Sequence, residues 1–238
     1  MTKPIGAGAP GAPLPPYSLV RSRRKTLAIH ITKDAAVEVR APLNMPIRDI
    51  ERFIAAKEKW IKTHLAKRET VRNEKAAFAL HYGDALSLCG RQYPITAREG
   101  ARIGFDGACF FLPPGLPPDS VKDCAVQIYK LTAKQVIALK TEEYAKRLRV
   151  TPAGFHITSA KTRWGSCSAK KSLNFSWRLM MADDDVIDYV VVHELAHIKE
   201  LNHSPRFWAL VASIFPDYKE RNKKLKLLQE KLASQDWG

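Results

Sequence analysis

The chain reads as an α+β protein: strand-like runs gather in its first half around one helix, and helices surround a small sheet in the second. Three observations carry this reading. Apolar and polar residues alternate at period two over residues 27–39 and 173–179. Apolar residues recur at helical spacing over 47–65, 121–148 and most of 184–233. Stretches rich in Pro and Gly separate the two patterns.

The opening "MTKPIGAGAPGAPLPP", residues 1–16, holds too much Pro and Gly for a signal-peptide core and is expected to be a flexible tail. Residues 17–118 are expected to be a β-rich region with one helix. In it Leu27, Ile29 and Ile31, then Ala35, Val37 and Val39, alternate about Lys33-Asp34 and predict a hairpin. Pro46 opens an amphipathic helix through Ile47, Ile50, Phe53, Ile54, Trp60, Ile61 and Leu65. The runs "LSLCG", "RQYPITA" and "ARIGFDGACFFL" follow, with Asp106-Gly107 as a tight turn.

"PPGLPPDS", residues 113–120, marks a boundary before a third region, 119–238. Asp119 or Ser120 is placed to cap a long helix through Val121, Cys124, Ala125, Ile128, Leu131, Leu139 and Leu148. A strand near "FHITSA", a loop "KTRWGSCSAKKS" and a strand "LNFSWRL" come next, with Leu173, Phe175, Trp177 and Leu179 on one face. Helices are predicted over 184–200, 205–215 and 217–233, the last two parted by Pro216.

With 45% hydrophobic and 26% charged residues, the composition excludes disordered and fibrous classes. No apolar run approaches the roughly 20 residues of a membrane helix, and a cytoplasmic protein is expected. Cys89, Cys109, Cys124 and Cys167 form no CxxC pair, which argues against a disulfide framework and a cysteine zinc site. The net charge of +15, spread over both halves, favours polyanions without specifying one and admits nucleic-acid association.

"HELAHIKELNH", residues 193–203, holds three of the seven histidines. On a helix His193 and His197 share a face one turn apart, close enough to grip one metal ion. Glu194 then has the position of a general base in a metal hydrolase. The plainer reading is a buried helix whose histidines are satisfied by ordinary hydrogen bonds. His203 separates the two. On a continued helix it would lie about 9 Å further along the axis and about 120° round it, too far to share an ion bound at about 2.0–2.1 Å. The helix must therefore stop, and Asn202, which tolerates a left-handed backbone, and Ser204-Pro205, which suits a new helix start, provide for that. The spacing HExxHxxExxH matches the metzincin ligand pattern, with Glu200 where the metzincins have glycine. Three neutral imidazoles leave a fourth tetrahedral position open, as catalytic Zn2+ requires, although other divalent metals also suit three nitrogens.

Residues 163–211, "RWGSCSAKKSLNFSWRLMMADDDVIDYVVVHELAHIKELNHSPRFWALV", resemble the YgjP-like metallopeptidases, relatives of the SprT and WLM zincins. The likeness is most specific over Trp164–Ser168, Tyr189–His197, Asn202–Ser204 and Phe207-Trp208, and runs loosely upstream through "SRRKTLAIHI" and the Trp60 helix. It implies a zincin-like catalytic half, His193, His197 and His203 as metal ligands, Glu194 as general base, and a peptide or protein substrate. Since the SprT and WLM relatives act on DNA-bound proteins, it also allows a substrate held near nucleic acid.

Neighbouring residues have rival readings. Cys167 is a small thiol in a turn rather than a nucleophile, since no His stands beside it. Strand 173–179 is a candidate edge for an extended peptide or simply core. Arg163, Lys199 and Arg206 are oxyanion or carboxylate binders or surface charges. Tyr189 and Asp188 are candidates to support a ligand, and Phe207, Trp208, Ile214 and Phe215 are expected to pack the ligand helix against the last one. The competing class is a nucleic-acid-associated binding protein with a structural metal.

Overall fold

The structure, a computed structural model, describes residues 14–32, 34–100 and 102–238. Residues 1–13 of the expected tail and Lys33 of the hairpin lie outside them. The chain divides between Ala77 and Phe78 into two compact units, not at the Pro-rich stretch near residue 118. Leu86, Leu88, Ile95, Phe110 and Leu112 are buried in one cluster with the helices that follow, so "PPGLPPDS" is a turn within a unit.

In the first unit the patterned runs form β2 (Ala28–Ile31) and β3 (Val37–Pro42), antiparallel with Ile29 opposite Val39. β1 (Tyr17–Ser22) runs parallel to β3 on its other side. Val37, Val39 and Ala41 alternate inward and meet Ile50, Ile54 and Ile61 in one core. The single expected helix is two, α1 (Ile47–Ala56) and α2 (Glu58–Ala77). At Lys57 the backbone N–H is shared between the carbonyls of Phe53 and Ile54, a tightened turn that needs neither Gly nor Pro.

Among the described residues the second unit holds two sheets. In the first, β4 (Ala85–Leu88), β5 (Arg91–Ala97), β6 (Gly104–Phe105) and β7 (Phe110–Leu112) lie in the order β4-β5-β7-β6. The Asp106-Gly107 turn joins β6 to β7: Asp106 Oδ1 accepts from the N–H groups of Ala108 and Cys109, and Gly107 takes φ 93°. Helix α3 (Pro118–Leu148) starts with a proline in its first turn and no side-chain cap, so neither Asp119 nor Ser120 caps it. Its buried stripe runs through Val121, Ala125, Ile128, Tyr129, Ala133, Ile137, Thr141, Tyr144 and Leu148. Leu131 and Leu139, expected inside, fall off that stripe and are 59% and 71% exposed.

The second sheet has the order β8-β10-β9, from β8 (Gly154–Thr158), β9 (Gly165–Cys167) and β10 (Ser172–Ser176). β10 is the central strand, parallel to β8 and antiparallel to β9. Residues 177–181 leave it as a 3-10 turn, so Trp177 and Leu179 are core residues of that turn rather than of the strand. Burying an aromatic of this kind is worth about 1.5–3 kcal/mol, and Trp177 does so against Tyr129 at 5.5 Å between ring centroids. Helices α4 (Asp184–Ala196), α5 (Pro205–Ile214) and α6 (Tyr218–Ala233) complete the unit. None of the described helices is long and apolar enough to cross a membrane.

Candidate metal centre

Helix α4 carries His193 and Glu194 in its last turn and ends at Ala196, earlier than the 200 expected from periodicity. His197 is its C-cap. The N–H groups of Ile198 and Lys199 bond back three residues, to Leu195 and Ala196, and tighten the chain out of the helix. Asn202 takes no left-handed conformation: among the described non-glycine residues positive φ occurs at Ala35, Cys89, Arg149 and Lys171. The chain then restarts as expected, with Pro205 in the first turn of α5 and the Ser204 hydroxyl accepting from the Phe207 N–H at 3.3 Å.

This path returns the third histidine to the first two. Ring centroids lie 5.1 Å apart for His193 and His197, 5.0 Å for His193 and His203, and 4.8 Å for His197 and His203. One donor atom from each ring falls within 4.8 Å of the others. The Nε2 atoms of His193 and His203 are 3.1 Å apart, close to the roughly 3.3 Å between two nitrogens held tetrahedrally at about 2.0–2.1 Å from zinc. His197 Nδ1 donates to the Glu200 carbonyl at 3.1 Å, which leaves Nε2 as the free lone pair. His193 Nδ1 is buried without a partner. Phe207, fully buried, has its ring 4.9, 4.5 and 4.7 Å from those of His193, His197 and His203. Trp208 stacks on His203 and on Tyr218 of α6, so α5 does brace the trio against the last helix.

Burial, and then the neighbouring rings of His197 and His203, push the His193 pKa down to about 3. Burial also lowers that of His197. Both are therefore neutral near pH 7, the state a metal requires. The donor set fits a divalent cation. Glu194 is 6% exposed, and burial raises its carboxyl to about 8. Strand β9 packs along α4 at this point, and a Cβ added to Gly165 would come within 2.6 Å of Glu194 Oε1. Only glycine leaves room there for the carboxylate. Burial and the Glu194 charge both raise the Cys167 thiol, which suits an inert cysteine.

Other expected neighbours are engaged elsewhere. Asp188 pairs with Lys140 at 2.7 Å, and Lys199 Nζ donates to the Leu148 carbonyl at 2.7 Å, so neither supports a ligand or an oxyanion. Tyr189 stands edge-on to His193 at 5.8 Å. The central position of β10 removes strand 173–179 as a docking edge. Gly165 is a further residue of the site that the sequence pattern does not reveal, since its contact is with Glu194 on another element.

The UTP pyrophosphatase of Escherichia coli (strain K12) is 31% identical over 65 residues, 27% of this chain and 39% of that protein's length. The zymogens of two metallopeptidases are among the solved structures to which the chain is similar. Abylysin of Pyrococcus abyssi has TM-score 0.37 and 21% identity over 42% of this chain and 97% of that one. Jannalysin of Methanocaldococcus jannaschii has TM-score 0.35 and 25% identity over 40% and 95%. Residues 25–227, spanning both compact units, match the YgjP-like metallopeptidase domain, and the chain belongs to that family.

Proposed function

We propose that the chain is a metal-dependent hydrolase of peptide bonds, in which His193, His197 and His203 hold a divalent cation, zinc foremost, and Glu194 is the general base. The convergence of three imidazoles beside a buried carboxylate is the observation that supports it. When bound, the ion supplies Lewis-acid polarisation of the scissile carbonyl. Glu194 accepts a proton from the attacking water and passes it to the leaving amine, so the carboxylate is regenerated. Burial alone raises its pKa, and the charge of a bound cation would favour the carboxylate form that acts as base. Phe207 and Trp208 hold the rings in place, and Gly165 admits the carboxylate to its position.

A structural site would be closed by a fourth Cys or His; among the described residues the cluster has three donors, which favours hydrolysis over a binding protein with a structural metal. A second enzymatic reading is hydrolysis of a nucleotide phosphoanhydride. The similarity to a UTP pyrophosphatase and the net charge of +15 favour it. Incubating the protein with a peptide library and with UTP, before and after chelation and zinc reloading, separates these. Peptide cleavage that chelation abolishes and zinc restores is the expected result. Pyrophosphate release without peptide cleavage would move the assignment to the second reading, and products that survive chelation would overturn both.

Gly165→Ala provides a further check. Its methyl group must displace the Glu194 carboxylate, and a misplacement of about 1 Å can cost on the order of 100-fold in rate. We expect turnover to fall by roughly that factor with metal content unchanged, measured on matched samples.

A further inference from the structure

Beyond the His cluster, a cavity of about 280 Å³ opens beside β9, lined by Thr158, Arg163, Trp164, Ser166, Asn174 and Ser176 together with Gly165. Strand alternation accounts for it. Gly165 pairs with Phe175 on the sheet face that packs against α4, while Ser166 pairs with Asn174 on the other face. Gly165 thus belongs both to this cavity and to the wall behind Glu194.

Its hydrogen-bonding groups are unequal. Thr158 and Ser176 donate their hydroxyl hydrogens to the carbonyls of Phe175 and Ala160. Asn174 Nδ2 donates to Ser166 Oγ at 3.2 Å, which leaves the Ser166 hydroxyl hydrogen and the second amide hydrogen of Asn174 free to donate. The exposed Arg163 has no hydrogen-bond or ion-pair partner among the described residues. The surrounding segment has a single sign: between Glu143 and Asp183 the sequence contains no Asp or Glu, while Lys161, Arg163, Lys170, Lys171 and Arg178 lie within it. Spare donors in a cationic setting select oxygen anions.

We propose that this cavity binds an anionic oxygen group of the substrate, a carboxylate or a phosphate, with Arg163 as charged anchor and Ser166 and Asn174 as orienting donors. The substrate lies along β9, with this group in the cavity and the scissile bond at the His cluster. The assignment rests on the hydrolase reading for its function, and its test does not depend on turnover.

Binding is measured by calorimetry on full-length Glu194→Gln protein, which keeps substrates intact, with and without Arg163→Gln. The probes are UTP against uridine, and acetyl-Ala-Ala-Glu-Ala-Ala-amide against its Gln counterpart. One anionic probe is expected to bind roughly tenfold or more tightly than its uncharged partner, about the worth of one charge-assisted hydrogen bond. Arg163→Gln should erase that preference without altering zinc content or melting temperature. Preference for UTP assigns a phosphate, and preference for the glutamyl peptide a carboxylate. No preference for either anion, or one that survives Arg163→Gln, overturns the proposal. Absence of turnover of peptides and of UTP by zinc-loaded wild type would instead overturn the hydrolase reading and leave the binding result intact.

Discussion

Glu194→Gln is expected to lower hydrolysis by about 10²–10⁴-fold, the usual contribution of a positioned general base, while the protein keeps its metal. Gln has nearly the same shape and retains a hydrogen-bonding head, but it cannot take a proton from water. The same substitution should stabilise the metal-free protein. Glu194 is 6% exposed, and its carboxyl is raised from 4.5 to about 8 by burial. An acid with a raised folded-state pKa holds its proton in the native state after the unfolded chain has released it. Native stability therefore declines as pH rises from about 4.5 and levels off above about 8. Gln removes this decline. Urea unfolding of chelated samples should show little advantage for the variant at pH 4 and an advantage of about 2–4 kcal/mol at pH 8.5. A variant less stable than wild type at pH 8.5, or one that turns over substrate at full rate, would contradict this account of the carboxylate.

The nearness of His193, Glu194 and His197 was legible because helical spacing alone dictates it, and that of His203 because a continued helix forbids it. The location of the reversal was not legible. The helix ends at Ala196 through backbone bonds of the following turn, and His197 is held by the carbonyl of Glu200, an acceptor that every residue possesses. A side-chain signal such as Asn202 was available to reading and is not what the fold uses. Patterning likewise identified β10 through Leu173 and Phe175 but could not say that it lies between two neighbours, since alternation reports faces and not edges. Leu131 and Leu139 looked like core because they are leucines in a helix, and only the phase of the stripe places them outside. Gly165 depends on a contact with Glu194 between elements distant in sequence, which no local window contains.

His203→Ala is expected to abolish turnover by removing the cation rather than by unfolding the protein. His203 is exposed and stands in the turn before α5, whose start is fixed independently by Ser204 and Pro205. An exposed substitution of this kind ordinarily changes stability by within about 0.5 kcal/mol; the lost stacking on Trp208 should keep the cost small. The ligand loss is of another order. Even partners that only orient a metal ligand are worth about 10–100-fold in affinity, so removing one of three donors should weaken zinc binding by at least on the order of 100-fold. Dialysis against a zinc buffer should leave wild type loaded and the variant largely empty, with far-UV circular dichroism unchanged. His203→Cys, which restores a donor of the kind zinc accepts, should recover metal in part. Stoichiometric zinc in the alanine variant would mean that His193 and His197 bind it without the returning chain, and the reversal after Ala196 would then serve packing on Phe207 alone.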